Sequence, residues 1–148
     1  MSKLETVVKA IRFASEHHAG QKDDCGESYF EAHLKVVGEI LQKLVPDDAN
    51  LIAAGYLHDI IEDTDITYED LVREFNQDVA DLVHEVTHEG AKDDYGFYFP
   101  RLHSQRGITL KLIDRASNIS RMQSWNEKRK KQYLKKTKFW KDGSDRKL

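Results

Sequence analysis

Apolar residues recur every three or four positions along most of this chain, and the strict alternation of a strand is nowhere sustained. In LETVVKAIRFASEHH (residues 4–18), Val7, Ile11 and Ala14 fall at helical spacing, with Ser2 placed to cap the first turn. AGQKDDCGES (19–28) is a loop by composition. A second helix is expected over 29–45, where Leu34, Val37, Leu41 and Leu44 form the apolar stripe, and Pro46 ends it. A third is expected over 47–61, capped by Asp47 or Asp48. Thr67 with Asp70 three residues on opens a fourth, and Asn76 opens a fifth. After an irregular stretch, helical spacing resumes through Ile108, Leu112, Ile119 and Met122, and a last helix covers 126–140. The pattern predicts an all-α bundle of about seven helices. No linker marks a second domain, so residues 1–140 read as one domain followed by a basic tail, 141–148.

Length and composition narrow the class. A chain of 148 residues, 39% apolar and 33% charged, is long enough to bury a core and too apolar for disorder. The single cysteine, Cys25, excludes an internal disulfide and suits a reducing compartment. No apolar run approaches the roughly 20 residues that cross a bilayer, and the N-terminus lacks the apolar core of a signal peptide. A cytoplasmic protein without membrane partners is expected. The formal charge of −3 is uneven: residues 59–94 are rich in acids, while EKRKKQYLKKTKFWKDGSDRKL (127–148) is strongly basic. A basic helix face is more often solvated than bound to nucleic acid, and no aromatic platform or nucleic-acid motif accompanies this one.

The third helix raises a chemical question. AAGYLHDIIEDTD (53–65) runs from core-forming residues into His58, Asp59, Glu62 and Asp63, and unpaired carboxylates resist burial. In a continuous helix these four share one broad face, offering an imidazole and a carboxylate to a metal and two further acids one turn on. His33 stands on the apolar second helix, either as a satisfied core residue or as a ligand. Asp114, in LKLIDRASNIS, is embedded among apolar residues with Asn118 one turn later. It pairs either with Lys111 or Arg115, or with His33, His58 and Asp59 around a divalent ion.

The order His33, His58-Asp59, Asp114 resembles the HD superfamily of metal-dependent phosphohydrolases. More narrowly, YFEAHLKVV, AAGYLHDIIEDTDITYEDLVREF, VADLVHEVT and LKLIDRASNISRM look like the hydrolase domain of the RelA/SpoT alarmone enzymes and their small single-domain relatives, over about residues 3–140. The resemblance implies an HD-domain bundle with one metal site in its centre, held by His33, His58, Asp59 and Asp114 and commonly filled by manganese. Glu62 and Asp63 match the family's catalytic pair, and Asn118 and Tyr133 match residues that face the nucleotide. The activity implied is removal of the 3′-pyrophosphate of guanosine tetra- or pentaphosphate, and no synthetase segment accompanies it. Other implied possibilities are a phosphatase for NADPH or a deoxynucleotide, or a silent nucleotide-binding protein, which the intact Glu62-Asp63 pair argues against.

Two regions depart from that pattern. The family carries two basic residues in the loop before the first ligand. Here Lys22 matches one, but Asp23 follows where another cation is expected, and one extra residue separates Tyr29 from His33. An acid facing a polyphosphate opposes binding. In the stretch 88–106, Lys92, Arg101 and Arg106 are candidate phosphate contacts or exposed solubilising charges. Phe97, Tyr98 and Phe99 there either stack on a base or pin the loop to the core.

Overall fold

All seven expected helices form in the computed structural model, which describes residues 1–87 and 102–136, and the third is divided in two. Helix α1 spans Lys3–His17, α2 Lys35–Leu44, α3 Ala49–Leu57, α4 Ile60–Asp63, α5 Tyr68–Glu74, α6 Gln77–Val86, α7 Gln105–Ser120 and α8 Glu127–Lys136. Local chemistry sets their starts. Ser2 and Glu5 form a capping box on α1, Thr67 and Asp70 form another on α5, and Asp48, Asn76 and Ser104 each accept a first-turn N–H. None of the described helices is long and apolar enough to cross a membrane.

Helix α3 is the axis of the bundle and packs against α1, α2, α6 and α7. Apart from Asn50 every one of its residues is buried, so it is apolar on all sides, as a central helix requires. Two glycines let α2 and α3 approach closely. A methyl group at Gly38 would collide with the Tyr56 ring, and one at Gly55 with the Leu41 side chain.

The expectation of an unbroken helix through Ile61 is corrected at His58-Asp59. The His58 ring folds back to donate from Nδ1 to the Gly55 carbonyl at 2.7 Å, and Asp59 lies outside helical geometry at φ −101°, ψ 3°. The chain then restarts as α4, whose Asp63 N–H donates to the Asp59 carbonyl. A second irregularity precedes α2. Residues Phe30–Leu34 form a π turn in which the Lys35 N–H reaches the Phe30 carbonyl. A π turn takes in one residue more than an α turn, which accounts for the extra residue between Tyr29 and His33. The two rings remain neighbours, 5.3 Å apart.

The opposite end of α3 is held by charge. Arg106, at the start of α7, donates to both oxygens of Asp48 and both of Asp78, at 2.8–2.9 Å. This clamp sits about 15 Å from the His58 end of α3, at 1.5 Å per residue. Arg106 is therefore a structural cation, not brought to the candidate ligands, because two carboxylates already occupy four of its five N–H donors. Next to it, buried Glu85 accepts the N–H groups of His103 and Ser104 and the Ser104 hydroxyl, fixing where α7 begins. Lys92, Arg101, Phe97, Tyr98, Phe99 and the tail 141–148 lie outside the described residues.

Two outcomes test this frame. Gly38→Ala should lower stability by about 1–3 kcal/mol through overpacking, although alanine favours an isolated helix by about 1 kcal/mol; a raised denaturation midpoint would refute the close approach. Arg106→Gln should cost about 1 kcal/mol near neutral pH. Its hydrogen bonds hold the Asp78 carboxyl below the ordinary 3.8. The clamp's contribution is thus complete above that value and is lost as pH falls through the lower folded value. The stability gap between wild type and Arg106→Gln should close in acid.

Candidate metal centre

Three separate irregular or helical elements deliver four donors to one point. His33 comes from the π turn, His58 and Asp59 from the break between α3 and α4, and Asp114 from α7. Their ligand atoms all lie within 4.8 Å of one another. His33 Nε2 is 3.0 Å from Asp114 Oδ1 and 3.5 Å from Asp59 Oδ2, and His58 Nε2 is 3.2 Å from both. The two Nε2 atoms are 3.1 Å apart. Asp59 is half-buried and the other three are buried.

The hydrogen bonds behind these donors determine what they can hold. Since the Gly55 carbonyl only accepts, His58 Nδ1 carries a proton and Nε2 is the ring atom turned to the cluster. The His33 Nδ1 partner is the Ser117 hydroxyl, 2.9 Å away. Asp114 divides its oxygens: Oδ1 faces the imidazoles, while Oδ2 meets buried Lys111 at 3.2 Å. Asp114 therefore faces Lys111 and the two imidazoles at once, and His33 belongs to the cluster as well as the core. The Tyr29 hydroxyl donates to Asp59 Oδ2 at 2.6 Å.

Imidazole nitrogens and carboxylates converging at one largely buried point need a cation between them. The donor chemistry fits a divalent first-row ion, with the negative end of the α3 dipole behind it. Electrostatics points the same way. Burial disfavours a charged His58, yet the carboxylates of Asp59 and Asp114 outweigh it and raise its pKa well above 6.5. Burial likewise opposes charge on Asp59 and Asp114, but His58 holds the first well below the usual range, and Lys111 with His58 the second.

Glu62 and Asp63 stand on α4, exposed, one turn beyond the ligands. Asp63 accepts from Gln21 Nε2 at 3.1 Å, and Gln21 accepts in turn from buried His18. Partial enclosure and the nearby Asp59 charge push the Asp63 carboxyl above its ordinary value, against the Gln21 hydrogen bond. Glu62 lies within electrostatic reach of Lys111.

A cavity of about 390 Å³ opens beside the cluster, lined by Tyr29, Asn118, Arg121, Trp125, Arg129 and Tyr133 among others. Its wall is shared with the ligands: Tyr29 is bonded to Asp59, and Asn118 Nδ2 donates to Asp114 Oδ1 at 3.3 Å. The Tyr133 hydroxyl accepts from Asn118 and Arg115. Asn118 and Tyr133 thus both line this cavity. Lys22 is exposed on the adjoining hairpin, paired through its backbone with Ser28. Asp23 is turned inward to Arg121, and Asp24 meets Arg129 at 2.7 Å and the Trp125 indole N–H at 3.0 Å. Tyr29, Gln21, Arg121, Trp125 and Arg129 were not singled out from the sequence. Arg121 had a readable signal, since it follows Asp114 by seven residues and Asn118 by three, on one helical face.

The HD domain family matches residues 10–94. The chain is 36% identical over 141 residues to the guanosine-3′,5′-bis(diphosphate) 3′-pyrophosphohydrolase of Aquifex aeolicus, covering 90% of this chain and 20% of that protein. It is 30% identical over 140 residues to the guanosine-3′,5′-bis(diphosphate) 3′-pyrophosphohydrolase MESH1 of Drosophila melanogaster, covering 86% and 78%. A solved structure described as a metazoan orthologue of SpoT that hydrolyses ppGpp superposes with a TM-score of 0.70 at 27% identity, over 87% of this chain and 79% of that one. The chain spans about a fifth of the length of the bacterial relatives and most of the Drosophila one. A family match that takes in His33, His58 and Asp59, joined to a relative aligned along most of both chains, makes this protein a member of the HD domain family.

Proposed function

We propose that this chain is a metal-dependent nucleotide phosphohydrolase that removes the 3′-pyrophosphate of guanosine tetra- or pentaphosphate, with manganese as its ion. The observation that carries the reading is the pairing of a buried four-donor cluster with two acids at its mouth and an aromatic, arginine-bearing cavity against its wall. The names of the relatives supply the substrate. His33, His58, Asp59 and Asp114 would hold the ion, which when bound supplies Lewis acidity toward a phosphoryl group and makes water easier to deprotonate. Glu62 and Asp63 handle the protons: the pair accepts one from the attacking water and returns one to the departing 3′ oxygen as the bond from that oxygen to phosphorus breaks. Asp63, with its raised pKa, suits the proton-carrying role. Asn118, bonded to Asp114, and Tyr133, bonded to Asn118, orient the nucleotide beside the cluster.

Purified protein loaded with Mn²⁺ should release pyrophosphate from guanosine tetraphosphate, leaving GDP. Glu62→Gln combined with Asp63→Asn should reduce kcat by about 10²–10⁴-fold while metal content stays at that of wild type. Release of orthophosphate from a different nucleotide, with none of pyrophosphate from this one, would move the substrate assignment and keep the hydrolase class.

Metal affinity should also depend on pH with a definite sign. The ligand His58 must give up a proton whose pKa is raised above 6.5, so affinity should fall as pH drops below that raised value, by up to about tenfold per unit. His58→Ala should abolish stoichiometric metal binding. Affinity flat with pH in metal titrations would contradict a ligand role for His58.

A further inference from the structure

Arg121 is held in the cavity by two side-chain contacts. Its Nη1 donates to Asp23 Oδ2 at 3.2 Å and its Nη2 to Asn118 Oδ1 at 2.7 Å. Its Nε is buried without a hydrogen-bond partner among the described residues. The guanidinium lies 5.9 Å from the Tyr29 ring centroid. Asn118 and Tyr29 are the residues bonded to Asp114 and Asp59, so Arg121 stands one contact from each ligand carboxylate.

Asp23 does not need this partner to build its loop. Its Oδ1 accepts the N–H groups of Cys25 and Glu27, which forms the turn, and only Oδ2 faces Arg121. The pair is nearly enclosed, with Asp23 6% and Arg121 18% exposed. A guanidinium matches a phosphate bidentately and keeps full charge at any physiological pH. A carboxylate held against it by one contact at 3.2 Å is a counter-ion that a phosphate oxygen can replace.

We propose that Arg121 binds an anionic phosphate group of the nucleotide in this cavity, and that Asp23 is the exchangeable counter-ion which the phosphate displaces. The pair is then specificity-determining: it sets how strongly affinity rises with the number of phosphates on the ligand. This explains why an acid can stand in the loop where a cation is expected, since the positive charge is supplied from the end of α7 instead. The inference rests on reading the cavity as the nucleotide site.

The test uses the full-length, metal-loaded Glu62→Gln/Asp63→Asn protein, which binds without turnover, titrated calorimetrically with guanosine tetraphosphate, GDP, guanosine and inorganic phosphate. Asp23→Asn keeps the turn-forming oxygen and removes the charge. It should tighten guanosine tetraphosphate by about three- to tenfold and leave guanosine unchanged. Arg121→Gln should weaken the tetraphosphate by about tenfold or more, reduce the salt dependence of binding and again spare guanosine. The double variant should bind like Arg121→Gln alone, because Asp23 acts through Arg121. With the acid pair intact, Arg121→Gln should raise KM more than it lowers kcat. If the substitutions alter guanosine as much as the tetraphosphate, or change only the melting temperature, the pair is structural and the proposal is wrong. If no guanosine compound binds, the substrate reading fails separately, and inorganic phosphate still decides: it must bind more tightly to Asp23→Asn than to Arg121→Gln, and equal or absent binding overturns the role of Arg121.

Discussion

Two carboxylates and two imidazoles are forced together at the buried end of α3, and that electrostatic conflict organises the rest of the molecule. Buried acids side by side are unfavourable unless a positive charge lies between them. The surrounding features set how much of that negative charge is left for a cation. The α3 dipole ends at the cluster, the Gly55 carbonyl fixes the His58 tautomer, and Lys111 takes the second oxygen of Asp114. The break at His58-Asp59 and the π turn before α2 are the backbone distortions that aim the donors. Such departures from regular helix persist because a rigid bundle surrounds them.

The same contacts tie chemistry to recognition. Tyr29 and Asn118 each touch a ligand carboxylate and also line the cavity, so anything bound there presses on the second layer of the metal site. At the other end of α3 the clamp of Arg106, Asp48 and Asp78 and the buried Glu85 set the position of α7, and through it the depth at which Asp114 enters the core. The ion-pair clamp thus sits at the end of α3 away from the cluster, while the cluster end carries the charges that oppose burial.

The residue types and helical periods made much of this legible without coordinates. Helix starts at Ser2, Thr67 and Asn76 follow from local hydrogen bonding, and a short-range interaction is readable from a short stretch of chain. His33, His58, Asp59 and Asp114 stood out because polar groups in apolar helices are costly without partners. Arg106 shows the limit of such reasoning. An arginine in such a stretch has the same appearance whether it meets a phosphate or two carboxylates, and only packing brought Asp48 and Asp78, from distant parts of the sequence, to its fork.

By itself, then, the sequence determined the all-α class through helical spacing and marked costly polar groups in apolar helices, while its family resemblance implied the ligand set and the acid pair. Tertiary structure decided how the ligands are aimed. It split the expected third helix where the His58 ring competes for a backbone carbonyl, absorbed an extra residue as a π turn, and turned Asp23 inward onto Arg121. The first two are local hydrogen bonds that the apolar period does not reveal, and the last joins residues 23 and 121, whose contact depends on distance in space and leaves no trace in local pattern.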